Sequence, residues 1–250
     1  MTSEANPGGL PPELAQGPGP IRRFVLPGLF IIALIVALFM RRPDVDSTAT
    51  MWKLQGEIFG TTYVVKVLPQ GSKVDQTSLK EEIDVQLASV DLIMSTYKDN
   101  SELSKFNNSR TTEPVKISAE LANVLQEAIR VTTLTRGAFD ITVGPLVNLW
   151  GFGPNKALKD PSPEALAEAR KSVGIKQFTL DIDKLTLQKH DEKVYIDLSA
   201  IAKGYAVDRV GEILEKHKIA SYMVEVGGEI RARGRNAKGV HWQLGVERPQ

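Results

Sequence analysis

Asp197-Leu-Ser-Ala-Ile-Ala-Lys-Gly-Tyr-Ala-Val-Asp208 gathers residue types that can hold an anion. Val194, Ile196 and Leu198 alternate with Tyr195 and Asp197, the pattern of a short strand. Ser199 can cap a following helix through its side-chain oxygen. Ile201, Tyr205 and Asp208-Arg209-Val210 fit a helical period. The first turn of such a helix offers unpaired N–H groups and the positive end of the dipole, a ready phosphate site. Lys203 falls one turn after the cap, within reach of an anion, and Asp197 can hydrogen-bond a ligand or help hold a metal. An ordinary capped helix, with a strand-end aspartate and a solvated lysine, has the same pattern.

A second stretch is chemically suggestive. Gly137-Ala-Phe-Asp-Ile-Thr-Val-Gly-Pro-Leu-Val-Asn-Leu-Trp-Gly-Phe-Gly-Pro154 is glycine-rich and neither helical nor cleanly alternating. Long irregular segments within a domain are usually functional or disordered. Phe139, Leu146, Leu149, Trp150 and Phe152 make this one too apolar for disorder. Glycines beside aromatic residues suit close approach to a flat ligand. A buried loop whose aromatics plug the core fits equally.

These residues need a scaffold, and the rest of the chain supplies it. Thr61–Val67 reads as a strand. Leu79, Ile83, Leu87, Val90 and Met94 recur at helical spacing and predict an amphipathic helix through about Ser95. Leu121, Val124, Leu125, Ala128 and Ile129 predict another, ending before Gly137. Ser162-Pro163-Glu164 starts a helix, with Gly174 as its end. Phe178, Leu180 and Ile182 alternate, as do Leu185 and Leu187, around an Asp183-Lys184 turn. Tyr222, Val224 and Val226 predict a strand before Gly227-Gly228, and Trp242, Leu244 and Val246 a last one. Hairpins and helical connections both occur, so the fold class is α+β, with mixed or antiparallel sheets and packed helices.

Ahead of this scaffold, residues 1–20 are rich in Pro and Gly and predict a disordered tail. Phe24–Met40 is apolar between Arg22-Arg23 and Arg41-Arg42. It approaches the ~20 residues of a bilayer span, which makes residues 21–42 an uncleaved transmembrane signal anchor. A cleaved signal peptide competes, but no small-x-small cleavage site is evident near Met40. Residues 43–52 read as a linker and 53–250 as the functional domain.

Six motifs in order resemble the FAD:protein FMN transferase family, the flavin transferases once described as thiamine-biosynthesis lipoproteins. They are Gly60-Thr-Thr-Tyr63, Met94-Ser-Thr-Tyr-Lys-Asp-Asn-Ser-Glu-Leu-Ser-Lys-Phe-Asn107, Gly137-Ala-Phe-Asp-Ile-Thr-Val-Gly-Pro145, Asn148-Leu-Trp-Gly-Phe-Gly153, the Asp197–Asp208 stretch, and Val226-Gly-Gly-Glu229. The resemblance implies a magnesium-dependent enzyme that cleaves FAD and joins FMN through a phosphoester to a threonine of an acceptor protein, releasing AMP. It implies that Phe59, Tyr97, Ala138, Phe139, Asp140, Asp197 and Lys203 contact FAD, with Asp197 and Lys203 serving catalysis. Phe59 stands where the family usually has Met. Ala200 occupies a metal-ligand position, where only its backbone carbonyl can serve. Gly227-Gly228 should admit the ligand to the backbone, or else form a β-bulge.

The family's His-x-x-Asp-Pro-x-Thr-Gly metal segment has no counterpart before Gln250. The expectation is a C-terminally truncated member that binds FAD weakly and transfers poorly unless the missing ligands are supplied. Two rival readings remain open: an FAD pyrophosphatase giving FMN and AMP, and a non-catalytic, membrane-tethered FAD-binding module. The expected setting is the bacterial inner membrane, single-pass, with the domain in the periplasm or otherwise outside the cytoplasm. The acceptor would be a subunit of a membrane redox complex.

Composition narrows the field. A net charge of +1 gives no bulk attraction to nucleic acid, and Lys80-Glu-Glu-Ile-Asp84 reads as a solvated helix face. With no cysteine, disulfides, thiolate metal sites, a cysteine nucleophile and lipidation at a signal cysteine are excluded. His190, His217 and His241 lack metal-ligand spacing and read as satisfied surface side chains.

Overall fold

The computed structural model describes residues 30–37, 50–154 and 160–245. Residues 1–47 and 48–250 are separate units. In the first, α1 covers 30–37, with Phe30, Ile31, Ile32, Leu34, Ile35 and Val36 exposed. The expected tail (1–20), the rest of the expected anchor (21–42) and linker residues 43–49 lie outside the described residues. Among those described, no helix is long and apolar enough to cross a membrane.

The second unit is α+β. One sheet has the order β1 (Trp52–Ile58), β2 (Thr61–Leu68), β6 (Ser221–Val226), β7 (Glu229–Arg233). A smaller sheet has the order β3 (Val115–Lys116), β5 (Thr186–Lys189), β4 (Phe178–Asp181). Every pairing among described strands is antiparallel, so the antiparallel half of the expectation holds and the mixed half does not. β2 is central because Tyr63, Val65 and Val67 alternate inward and are at most 1 % exposed. Its register sets Tyr63 opposite Val226 and Val67 opposite Tyr222.

The helices follow their caps and periods. Asp75 accepts hydrogen bonds from the Thr77 and Ser78 amides and starts α2 (Gln76–Met94). α2 buries Leu79, Ile83, Leu87, Val90 and Met94, each contributing about 1.5–3 kcal/mol relative to exposure. Ser101 caps α3 (Glu102–Asn108), and Ser118 caps α4 (Ala119–Leu134). Ser162 with Pro163 opens α6 (Pro163–Arg170), which ends before the expected Gly174 stop. Gly174, at φ 128, precedes a single 3-10 turn instead. α7 (Ala202–Lys216) packs against α2, β6 and β7.

Several expectations need correction. β1 occupies the supposed linker's end, since Trp52, Leu54, Gly56 and Ile58 alternate with polar residues. Ser199 does not cap α7: the cap position is Ile201, without a side-chain hydrogen bond. Residues 194–198 form no strand, although Val194, Ile196 and Leu198 are buried in the expected alternation. The irregular segment 137–154 contains a short helix, α5 (Gly144–Leu149), with Pro145 in its first turn. Residues 242–245 form no strand: Leu244 is exposed, and the Trp242 ring N–H donates to the Arg233 carbonyl. Val246 lies outside the described residues. Gly227-Gly228 is a two-residue hairpin turn, not a bulge. The Lys80–Asp84 face is not merely solvated, because Asp84 also accepts from the buried Tyr63 hydroxyl. Of the histidines, His217 meets Glu82 at 2.5 Å and His190 meets Thr179 at 2.8 Å.

Candidate functional site

Two hairpins of the larger sheet turn at the same end. The β1–β2 turn is Phe59-Gly60, with φ of 54° and 71°. The β6–β7 turn is Gly227-Gly228, with φ of 54° and 99°. Positive φ at both central positions matches the twist of a tight hairpin. Glycine adopts it freely, whereas a left-handed Phe59 costs on the order of 1–2 kcal/mol. That cost places an aromatic ring at the tip, packed against the core margin. The second turn meets β2 through the Gly227 N–H, which donates to the Thr62 carbonyl.

A cleft of about 500 Å³ opens beside these tips, walled by Phe59, Met94, Tyr97 and Ala202, with Lys203 and Ser199 at its polar side. This lies in the ~300–1,000 Å³ range usual for cofactor sites. Serine hydroxyls fix the Tyr97 wall. The Ser95 carbonyl accepts from Ser101 Oγ (2.5 Å) and Ser104 Oγ (3.0 Å), and Ser95 Oγ accepts from the Tyr97 amide (3.1 Å). The Tyr97 hydroxyl donates to the Phe152 carbonyl at 2.9 Å. Its ring remains exposed, as do Trp150 and Phe152 beyond it.

The polar side is the start of α7. No side chain caps this helix, and the Lys203 and Gly204 amides have no backbone partner among the described residues. Because α7 starts later than expected, Lys203 sits in its first turn. The Lys203 ammonium donates to the Gly227 carbonyl at 3.0 Å and lies 2.8 Å from Glu229 Oε2. That oxygen is buried and has the ammonium as ion partner without an aligned hydrogen bond. Lys98, also on the wall, pairs at 2.5 Å with Asp91, whose side chain is 7 % exposed. Both cleft ammoniums thus face carboxylates.

Phe59, Tyr97 and Lys203 therefore meet in one cleft. Asp197 is not among its lining residues. Its amide donates to the Ile141 carbonyl (2.8 Å), and its Oδ1 accepts from the Ser199 amide (2.8 Å), closing the turn into α7. Ala200 is exposed in that turn. Ala138 is exposed and Phe139 half-buried. Asp140 borders a separate hollow with Arg136 and Lys176, its Oδ1 accepting from the Thr142 amide and hydroxyl. Sequence reasoning missed Asp91 and Glu229. A lone acid on the apolar face of α2 was a signal for Asp91. Val226-Gly-Gly-Glu229 was legible too, but only its glycines were given a role.

The fold and the cleft define a class: an α+β domain with an aromatic-walled pocket beside an uncapped helix start. The ApbE family model matches residues 59–250, and the chain belongs to that family. It is 50 % identical over 225 residues to the FAD:protein FMN transferase of Haemophilus influenzae, covering 88 % of this chain and 64 % of the relative. It is 46 % identical over 206 residues to the Vibrio cholerae protein of that name, covering 82 % and 61 %. The solved flavin transferase ApbE from Vibrio cholerae superposes with a TM-score of 0.77 at 45 % identity, over 80 % of this chain and 65 % of that one. The apo flavinyl transferase ApbE of Pseudomonas stutzeri gives 0.74 at 31 % identity, over 79 % and 66 %. The chain thus spans about three-fifths of these curated relatives' length.

Proposed function

We propose that this chain works as a flavin transferase: FAD is split at its diphosphate and FMN is joined to an acceptor threonine. The P–O bond to AMP breaks, AMP leaves with the bridging oxygen, and the threonine oxygen takes its place on phosphorus. The threonine proton goes to solvent. The observation that carries this reading is Lys203 in the first turn of the uncapped α7, inside a cleft walled by Phe59 and Tyr97. The names of the relatives support it.

Phosphoryl transfer depends chiefly on positioning and charge stabilisation. Phe59 and Tyr97 would hold a flat ring system, while Lys203 and the free amides would bind the diphosphate and stabilise charge developing on its oxygens. Asp197 fixes the turn that aims those amides. Ala138, Phe139 and Asp140 enter the proposal through the resemblance rather than through the cleft.

Magnesium dependence also rests on the resemblance. Among the described residues no three acidic or histidine side chains converge, and Ala200 offers only its main-chain carbonyl. These residues do not form an octahedral oxygen shell by themselves. The setting we propose is the bacterial inner membrane, with the domain outside the cytoplasm and the acceptor a subunit of a membrane redox complex. The apolar run Phe24–Met40 between arginine pairs supports it.

The test is co-expression with a threonine-bearing acceptor, followed by in-gel flavin fluorescence and AMP assay. A fluorescent acceptor band that disappears when its threonine is replaced by valine supports transfer. AMP release without the band indicates hydrolysis, and intact bound FAD without AMP indicates a binding module.

A further inference from the structure

Asn107 ends the serine-rich motif that begins at Met94, yet it is remote in sequence from the α7 corner. Its side chain nevertheless makes two bonds to one peptide residue there. Asn107 Nδ2 donates to the Ile196 carbonyl at 2.8 Å, and Asn107 Oδ1 accepts from the Ile196 amide at 2.9 Å. Asn107 is 7 % exposed and Ile196 fully buried. Segment 194–198 pairs with no strand among the described residues, so its buried backbone groups must find partners elsewhere. The carboxamide supplies both, as one rung of an antiparallel ladder would. The next residue, Asp197, donates its amide to Ile141 and holds the Ser199 amide through Oδ1. Ile196 and Asp197 are thus the fixed points from which the chain turns into α7 and Lys203.

Asn107 is braced in turn. The buried Lys189 ammonium donates to the Asn107 and Ser109 carbonyls, at 2.8 Å each, where α3 ends. It also stands over the Phe106 ring at 5.1 Å. A cation at a helix C-terminus complements the carbonyl dipoles, and its hydrogen-bond partners among the described residues are all main-chain carbonyls. The carboxamide therefore projects from an anchored helix end.

We propose that Asn107 is a positioning residue for the anion corner: it sets the height and register of segment 196–203 and so the aim of Lys203 and the α7 amides. As a statement about FAD, this rests on the function proposed above; as a statement about segment 196–203, it stands without it.

The experiment compares Asn107→Ala, Asn107→Asp and Val67→Ala. Val67 is buried in β2 opposite Tyr222, at the end of the sheet away from the turns. Hydrogen exchange in the ligand-free protein should accelerate at the Ile196 and Asp197 amides by at least ~10-fold in Asn107→Ala, with the α2 core amides unchanged. FAD affinity, measured well below the melting temperature, should fall by ~10-fold or more in Asn107→Ala. It should fall by less in Asn107→Asp, which still accepts from the Ile196 amide. It should stay at the wild-type value in Val67→Ala despite that variant's lower melting temperature. If Asn107→Ala does not fold, Asn107→Ser, whose side chain is too short to span both Ile196 groups, carries both readouts. Unchanged exchange at 196–197, or an affinity loss that tracks melting temperature across all variants, overturns the proposal. A wild-type chain that binds no FAD refutes the function while the exchange measurement still decides the positioning role.

Discussion

Lys203 and Glu229 form an ion pair at 2.8 Å between the first turn of α7 and the start of β7. The pair matters because Lys203 faces the cleft and Glu229 partly neutralises it. An incoming diphosphate must share the ammonium with this carboxylate. Lys203→Ala should weaken FAD binding by ~1.5–3 kcal/mol, the worth of a charge-assisted hydrogen bond. Glu229→Gln should tighten it several-fold by removing the competing charge. Calorimetric titration of both variants checks the two opposite signs.

Tyr97 separates ring from hydroxyl. Tyr97→Phe loses the bond to the Phe152 carbonyl, and FAD affinity should drop by less than ~1 kcal/mol. Tyr97→Ala loses the stacking face and should cost ~1–3 kcal/mol. Equal losses in flavin-fluorescence titrations would place the contact at the hydroxyl instead.

The two glycines of the β6–β7 turn make a matched pair. Both have positive φ, so alanine at either should cost ~1 kcal/mol of stability. A Cβ at Gly228 meets nothing within 4 Å, whereas one at Gly227 comes within 2.7 Å of Thr61 Cγ2 and 3.2 Å of Lys203 Cδ. Urea melts should show both variants destabilised, Gly227→Ala more so. FAD affinity should fall only in Gly227→Ala.

Tyr63 should set an alkaline limit on stability. Burial first, then its hydrogen bond to Asp84, pushes its hydroxyl from 10.0 up to about 12. A raised acid favours the protonated folded state, so its contribution is complete below about pH 10 and is lost as pH rises through about 12. The stability difference between wild type and Tyr63→Phe should be constant to pH 10 and shrink above it in denaturant titrations. A difference still constant at pH 12 would contradict this.

How much of this was legible depended on how local the cause was. α2 and α4 were readable because their apolar period and caps lie within the elements themselves. The β4–β5 hairpin was readable from its Asp183-Lys184 turn. β1 was overlooked because Trp52–Ile58 carries three charged or amide side chains beside its inward residues. The strand pattern at Val194–Leu198 gave the right burial and the wrong pairing, because the partner is a side chain 89 positions away. The delayed start of α7 reflects the turn after Asp197, where the Leu198 carbonyl already accepts from the Ile201 and Ala202 amides that a Ser199 cap would have bound. Phe59, Tyr97 and Lys203 were identified as a group through ordered motifs, but only tertiary contact shows Glu229 and Asp91 opposite the cleft lysines. Nothing local reveals that Asp140 borders another hollow.

The central claim is that FAD lies in the cleft beside α7 with its diphosphate on Lys203. A crystal structure of the chain soaked with FAD tests it most directly. The account predicts diphosphate oxygens within hydrogen-bond distance of Lys203 Nζ and the Lys203 and Gly204 amides, with a ring against Tyr97 or Phe59. FAD bound elsewhere, with Lys203 still on Glu229 and no nucleotide beside α7, would contradict it.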